Sequence, residues 1–254
     1  MQRKRPHRNP AWLIVAVLTV AVAAIIGYAL SGQTPINMPT PNLSASATSM
    51  PSTAATPQAP APAPTPATTT PGDVTALLAT IPVKGRAPGT GYDASQAFWG
   101  MWQYTDGCST RNLILARDLT QVTYLSPTSC IVDTGVLHDP YSGAIISFQH
   151  GSAPGESDAV QIDHVVSRMN AWVTGAFTWT PEQRYAFAND PLDLLAVDGA
   201  VNQAKGNADA ASWLPPNKAF RCQYVTIQVE VKAKYGLWMT KSEHDAIAGI
   251  LASC

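Results

Sequence analysis

No charged side chain falls between Arg8 and Asp73, and this void divides the chain before any motif is considered. Its first part, Trp12 to Leu30, is 19 residues of nearly continuous hydrocarbon behind Arg3, Lys4, Arg5 and Arg8. At a rise of about 1.5 Å per residue, a helix of this length spans the apolar layer of a bilayer. The basic flank, residues 1–11, is expected to stay in the cytoplasm and the remainder to be exported. Ala29-Leu30-Ser31 also permits cleavage as a signal peptide, so residues 12–30 are either a transmembrane anchor or a signal. Both readings make the rest of the chain extracytoplasmic, secreted or held at the membrane. The second part of the void, residues 31–72, is dominated by Pro, Ala, Thr and Ser and includes the alternation from Ala59 to Pro66. Such a composition buries too little apolar surface to offset chain entropy, which predicts an extended, disordered linker.

Residues 73–254 are left to fold as one domain. Setting aside the four N-terminal cations leaves 12 Lys and Arg against 17 Asp and Glu, a balance of −5. A general cationic coat for nucleic acid is therefore missing, and a polyanion would have to be gripped locally with help from a metal ion. Val74, Leu77, Leu78 and Ile81 recur at helical spacing. Thr110 to Leu119 reads as a short helix whose Arg111 and Arg117 either reach phosphates or pin a loop through its carbonyls. Val122–Leu125, Cys130–Thr134 and Ala144–Phe148 read as strands, with a turn at Asp139 to Gly143. Val160, Ile162 and Val165 lead into helical spacing through Trp172. Thr180 is a good N-cap for a helix opening at Pro181, with Gln183 in the capping-box position. A long amphipathic helix is expected over Asn217 to Tyr235 and a short one over Lys241 to Leu251. The class is α+β, with short strands and C-terminal helices. Cys108, Cys130, Cys222 and Cys254 include no CxxC spacing, and an even count in an exported domain favours two disulfides. Pairing Cys108 with Cys130 and Cys222 with Cys254 joins neighbouring elements. Trp172, Trp179, Trp213 and Trp238 are expected in the core, and His138, His150 and His244 in solvent.

The chemistry-bearing constellation is Asp163-His164 with Asp193, Asn202 and Lys205. Hydrolysis of a phosphodiester needs an activated water, positive charge at the phosphate and stabilisation of the departing 3′ oxygen. Adjacent residues on a strand point to opposite faces, so one can bind a metal while the other works from another angle. A helix-borne Asn202 can complete an oxygen-rich site beside Asp163, a donor set suited to one Mg²⁺ or Mn²⁺. Lys205, three residues on, lies on nearly the same helical face.

Asp-His, a middle residue, then Asn nine residues later and Lys three further on resembles the pattern of HNH (ββα-metal, His-Me finger) endonucleases. The strings Ile162-Asp163-His164-Val165-Val166, Ala188-Asn189-Asp190-Pro191-Leu192, Leu195-Ala196-Val197-Asp198-Gly199 and Lys205-Gly206 resemble the exported bacterial branch. That branch is related to the C-terminal nuclease domain of the GmrSD restriction enzymes. The resemblance implies a ββα-metal core with His164 as general base, Asp163 and Asn202 as ligands of one divalent cation, and Lys205 as a phosphate contact. At the middle position the family usually carries Asn or His, which orients the loop bearing the base; here it is Asp193, which could also join the metal shell. An ionised Asp accepts hydrogen bonds but donates none. The implied function is an endonuclease of low sequence specificity, acting on DNA or RNA as a monomer. The alternative is a stalked binding domain that keeps the scaffold without turnover.

Overall fold

The computed structural model describes residues 71–254; the basic flank, the segment 12–30 and the linker up to residue 70 lie outside the described residues. Among the described residues, no helix is long and apolar enough to cross a membrane. The first described helix opens at Pro71, two residues ahead of Asp73. The elements run α1 (Pro71–Leu78), α2 (Gln96–Trp99), β1 (Tyr104–Thr105), β2 (Cys108–Ser109), α3 (Thr110–Asp118), β3 (Leu119–Tyr124), β4 (Val132–His138), β5 (Ile145–Gln149), β6 (Val160–His164), α4 (Arg168–Val173), α5 (Pro181–Ala188), β7 (Leu194–Asp198), α6 (Gly199–Lys205), α7 (Arg221–Lys234) and α8 (Lys241–Leu251). The fold is mixed, with small sheets and C-terminal helices.

Among the described residues the strands within each sheet pair antiparallel: β1 with β2, β3–β4–β5 as a meander, and β6 with β7. The expected helix over Asn217 to Tyr235 is divided. Asn217 caps a short 3₁₀ turn, Lys218–Phe220, before α7 begins. Thr180 and Gln183 close the capping box foreseen for α5, and Thr240 with Glu243 closes another on α8. Both expected disulfides are present, Cys108–Cys130 and Cys222–Cys254. Trp172 is buried, and Trp179 and Trp213 pack partly buried against the same core. His138 and His150 are exposed, and His244 is half-buried.

Two hydrophobic clusters meet at the β6–β7 hairpin. One joins α1, α4, α7 and α8 through Val74, Leu78, Ala171, Val225, Val229 and Ile247. The other lies under the meander and α3, around Ile114, Leu115, Val132, Leu137 and Phe148. Along β7 the side chains alternate between them: Leu194 and Ala196 belong to the second cluster, Leu195 and Val197 to the first. This is the period of two that a strand imposes, and it fixes the register of the hairpin.

The free edge of β7 is satisfied by α3 instead of another strand. Arg117 donates to the carbonyls of Leu194 at 2.6 Å and Pro191 at 2.8 Å, while Asp118 accepts from the Ala196 amide at 2.8 Å. Arg111 donates to the carbonyls of Ser157 at 3.2 Å and Val160 at 3.3 Å. Of the two roles open to these arginines, the structure favours the loop-pinning one. Backbone groups at a buried edge need partners, and the guanidinium N–H groups are committed to them.

Candidate active site

Asp163 and His164 end β6, opposite Leu195 and Leu194. Alternation puts Asp163 on the same face as Gln161, and α6 lies over that face. Asn202 Nδ2 donates to Gln161 Oε1 at 3.0 Å, and Lys205 Nζ lies 3.0 Å from each Asp163 carboxylate oxygen. The start of α6 is set by Asp198, whose carboxylate accepts from the amides of Ala200 and Val201, an N-cap that satisfies orphan donors of the first turn. Asp163, His164 and Asn202 line one open cleft of about 300 Å³. The three residues read from the sequence as base and metal ligands thus come together.

His164 is held from the opposite side. α5 ends at Ala188, whose carbonyl belongs to the last turn and has no helical donor. His164 Nε2 lies 3.1 Å from that oxygen. A carbonyl only accepts, so Nε2 carries the proton and Nδ1 keeps the lone pair. Among the described residues this is the one hydrogen bond that the imidazole makes. The ring stacks on Phe187, with centroids 5.9 Å apart and planes 17° apart. Burial first, and then the Arg168 guanidinium, hold the imidazole pKa down to about 3, so the ring is neutral across the physiological range.

Asp163 is 6% exposed. Burial raises its pKa, against the opposing pull of Lys205 and of the Tyr141 hydroxyl, which donates to Oδ2 at 2.6 Å. Lys205 is 2% exposed and donates also to the His164 carbonyl at 2.9 Å. The phosphate contact expected of Lys205 is corrected accordingly: the ammonium is sequestered as the counter-ion of Asp163 and does not line the cleft. A carboxylate offers about four lone-pair sites; the Tyr141 hydroxyl and the Lys205 ammonium leave room for a further partner. No cluster of three or more His, Cys, Asp or Glu suited to a metal occurs among the described residues. Asp163 with the Asn202 amide oxygen is nonetheless a hard, oxygen-only pair that fits a cation retaining most of its water, as Mg²⁺ does.

Asp193 does not reach the cleft, so neither metal ligation nor contact with substrate follows from its position. It is fully buried, and Oδ1 accepts from the Val166 amide at 2.8 Å. Its own carbonyl accepts from the Val165 amide at 2.8 Å. It therefore fixes the backbone just beyond His164. Oδ2 is buried without a partner, and burial raises the carboxyl pKa well above its ordinary value.

Residues 109–250 match the family described as GmrSD restriction endonucleases, C-terminal domain. This chain belongs to that family. A protein of Arthroderma benhamiae named "Uncharacterized secreted protein" is similar to it, 38% identical over 182 residues covering 70% of this chain and 83% of the relative. No solved structure matches. Two members of this GmrSD-type site escaped the sequence reading. Tyr141 sits in the Asp139 to Gly143 segment, which reads as a turn and as part of the family resemblance, and nothing local marks it as the partner of a residue 22 positions away. Arg168, which lines the cleft, was legible only as part of a run of helical spacing.

Proposed function

We propose that the domain is a metal-dependent endonuclease with His164 as general base, of low sequence specificity and acting on DNA, with RNA sharing the same scissile group. The observation that supports this reading is the hydrogen bond from His164 Nε2 to the Ala188 carbonyl, which leaves Nδ1 as the proton acceptor of a histidine that lines the cleft shared by Asp163 and Asn202.

In this mechanism Nδ1 takes a proton from the attacking water, while the Ala188 carbonyl fixes the ring and stabilises the imidazolium that forms. An anionic phosphate entering the cleft raises the imidazole pKa from its low resting value, strengthening the base when substrate is in place. Lys205 and Tyr141 keep Asp163 ionised and oriented despite its burial. Asp163 and Asn202 would hold one Mg²⁺ or Mn²⁺, which supplies charge neutralisation at the phosphate and the departing oxygen. The β6–β7 hairpin with α6 would then be the ββα-metal core. The secreted name of the relative and the apolar segment 12–30 together support action outside the cytoplasm.

The test is cleavage of plasmid DNA by the purified chain with Mg²⁺ or Mn²⁺. His164→Ala is expected to lower the rate by at least about 10²-fold, the scale of a lost general base, with the fold checked by circular dichroism. A wild type as inert as the variant across divalent cations would remove the enzyme reading and favour the stalked binding domain.

A further inference from the structure

We infer that Arg168 is the side chain that contacts a substrate phosphate in this cleft, the role that the sequence pattern assigns to Lys205. The inference rests on the nuclease reading and deepens it. Among the described residues lining the cleft, Arg168 is the one cationic side chain. It follows the N-cap Ser167 and opens α4, four residues beyond His164.

Its guanidinium is largely uncommitted. Nη1 lies 3.4 Å from the Ala94 carbonyl, a long and weak bond, and no carboxylate forms an ion pair with it among the described residues. The contrast with four other arginines is direct. Arg111, Arg117, Arg184 and Arg221 each donate to carbonyls at 3.3 Å or less. A guanidinium has five N–H donors in a planar fork that matches two phosphate oxygens. Arg168 is half-buried, so its charge is partly desolvated in the cleft that His164 also lines. A half-buried cation with unused donors, lining the same open cleft as the base, is complementary to a phosphodiester. In-line attack builds negative charge on the non-bridging oxygens, and a fixed fork next to the attacking water stabilises it.

Two measurements on the full chain decide the matter. Arg168→Ala is expected to lower kcat/KM for duplex DNA by about 100-fold, with Arg168→Lys restoring part of the loss. In a His164→Ala background, a fluorescein-labelled DNA duplex should bind more weakly when Arg168→Ala is added. The slope of log Kd against log salt should also shrink by about one between about 50 and 200 mM. An active wild type, with Arg168→Ala cleaving at wild-type rate and the salt slope unchanged, overturns the inference and leaves the nuclease reading standing. A wild type inert with every divalent cation removes the nuclease reading, and the salt slope alone then decides for or against the phosphate contact. Should Arg168→Ala melt early, Arg168→Gln, which keeps the stem and one donor, is measured in its place under the same criteria.

Discussion

Asp193 shows how a single buried carboxyl can serve geometry at a thermodynamic cost. It holds the Val165 and Val166 amides, yet its second oxygen has no donor. Because burial raises its pKa well above the ordinary value, the folded chain keeps this proton to higher pH than the unfolded chain. The stability linked to that proton is complete below about 3.9, the unfolded value, and is lost as pH rises through the folded value. Asp193→Asn keeps an acceptor for the Val166 amide and has no proton to lose. Its melting temperature relative to wild type is therefore expected to rise from pH 4 to pH 8, by the equivalent of about 1–3 kcal/mol, the scale of a buried unsatisfied polar group. A relative stability that is flat or falls over that range would show Asp193 to be at ease in its site. Lys205 and Asp163 are a contrasting pair, two buried charges that satisfy each other, as does the Lys232–Glu243 pair at 2.8 Å between α7 and α8.

At the level of elements, the C-terminal helices depend on a covalent tie. Cys222 stands in the first turn of α7 and Cys254 just beyond α8, enclosing a segment of 32 residues. Cross-linking a loop of that size restricts the unfolded chain, worth about 2–4 kcal/mol. The double substitution Cys222→Ser, Cys254→Ser should lower the urea midpoint accordingly and raise the m-value, because the unfolded chain, freed of the cross-link, exposes more surface. Elements of this kind were legible because their signals are local. The Thr180 cap with Gln183, the bounds of α8 and both cysteine pairings all follow from residues near one another in sequence or from the oxidising compartment. The family pattern also groups Asp163, His164 and Asn202, and all three line one cleft. The fates of Arg111, Arg117, Lys205 and Arg168 were not legible. Each is a cation on a helix, and whether it is free depends on which carbonyl or carboxylate a distant segment brings to it: Leu194 for Arg117, Asp163 for Lys205, and for Arg168 only the Ala94 carbonyl.

Across the whole molecule, the folding unit exceeds the stretch that matches the family. The match begins at residue 109, but Val74, Leu78, Ile81 and Trp99 are buried in the larger cluster, and α1 packs against both α7 and α8. A chain starting at residue 109 would leave the far side of that cluster in water. Losing these buried side chains at about 1.5–3 kcal/mol each is comparable to the whole stability of an ordinary domain. Such a truncation should show no cooperative thermal transition, whereas one starting at residue 71 should melt cooperatively. Val83 bridges Met239 in parallel register, with the Lys84 amide on the Met239 carbonyl at 2.9 Å and the Met239 amide on the Pro82 carbonyl at 3.0 Å. The stretch just beyond α1 is thus stitched to the loop between α7 and α8, so that α1 and this short bridge clasp the start of the described chain to its end.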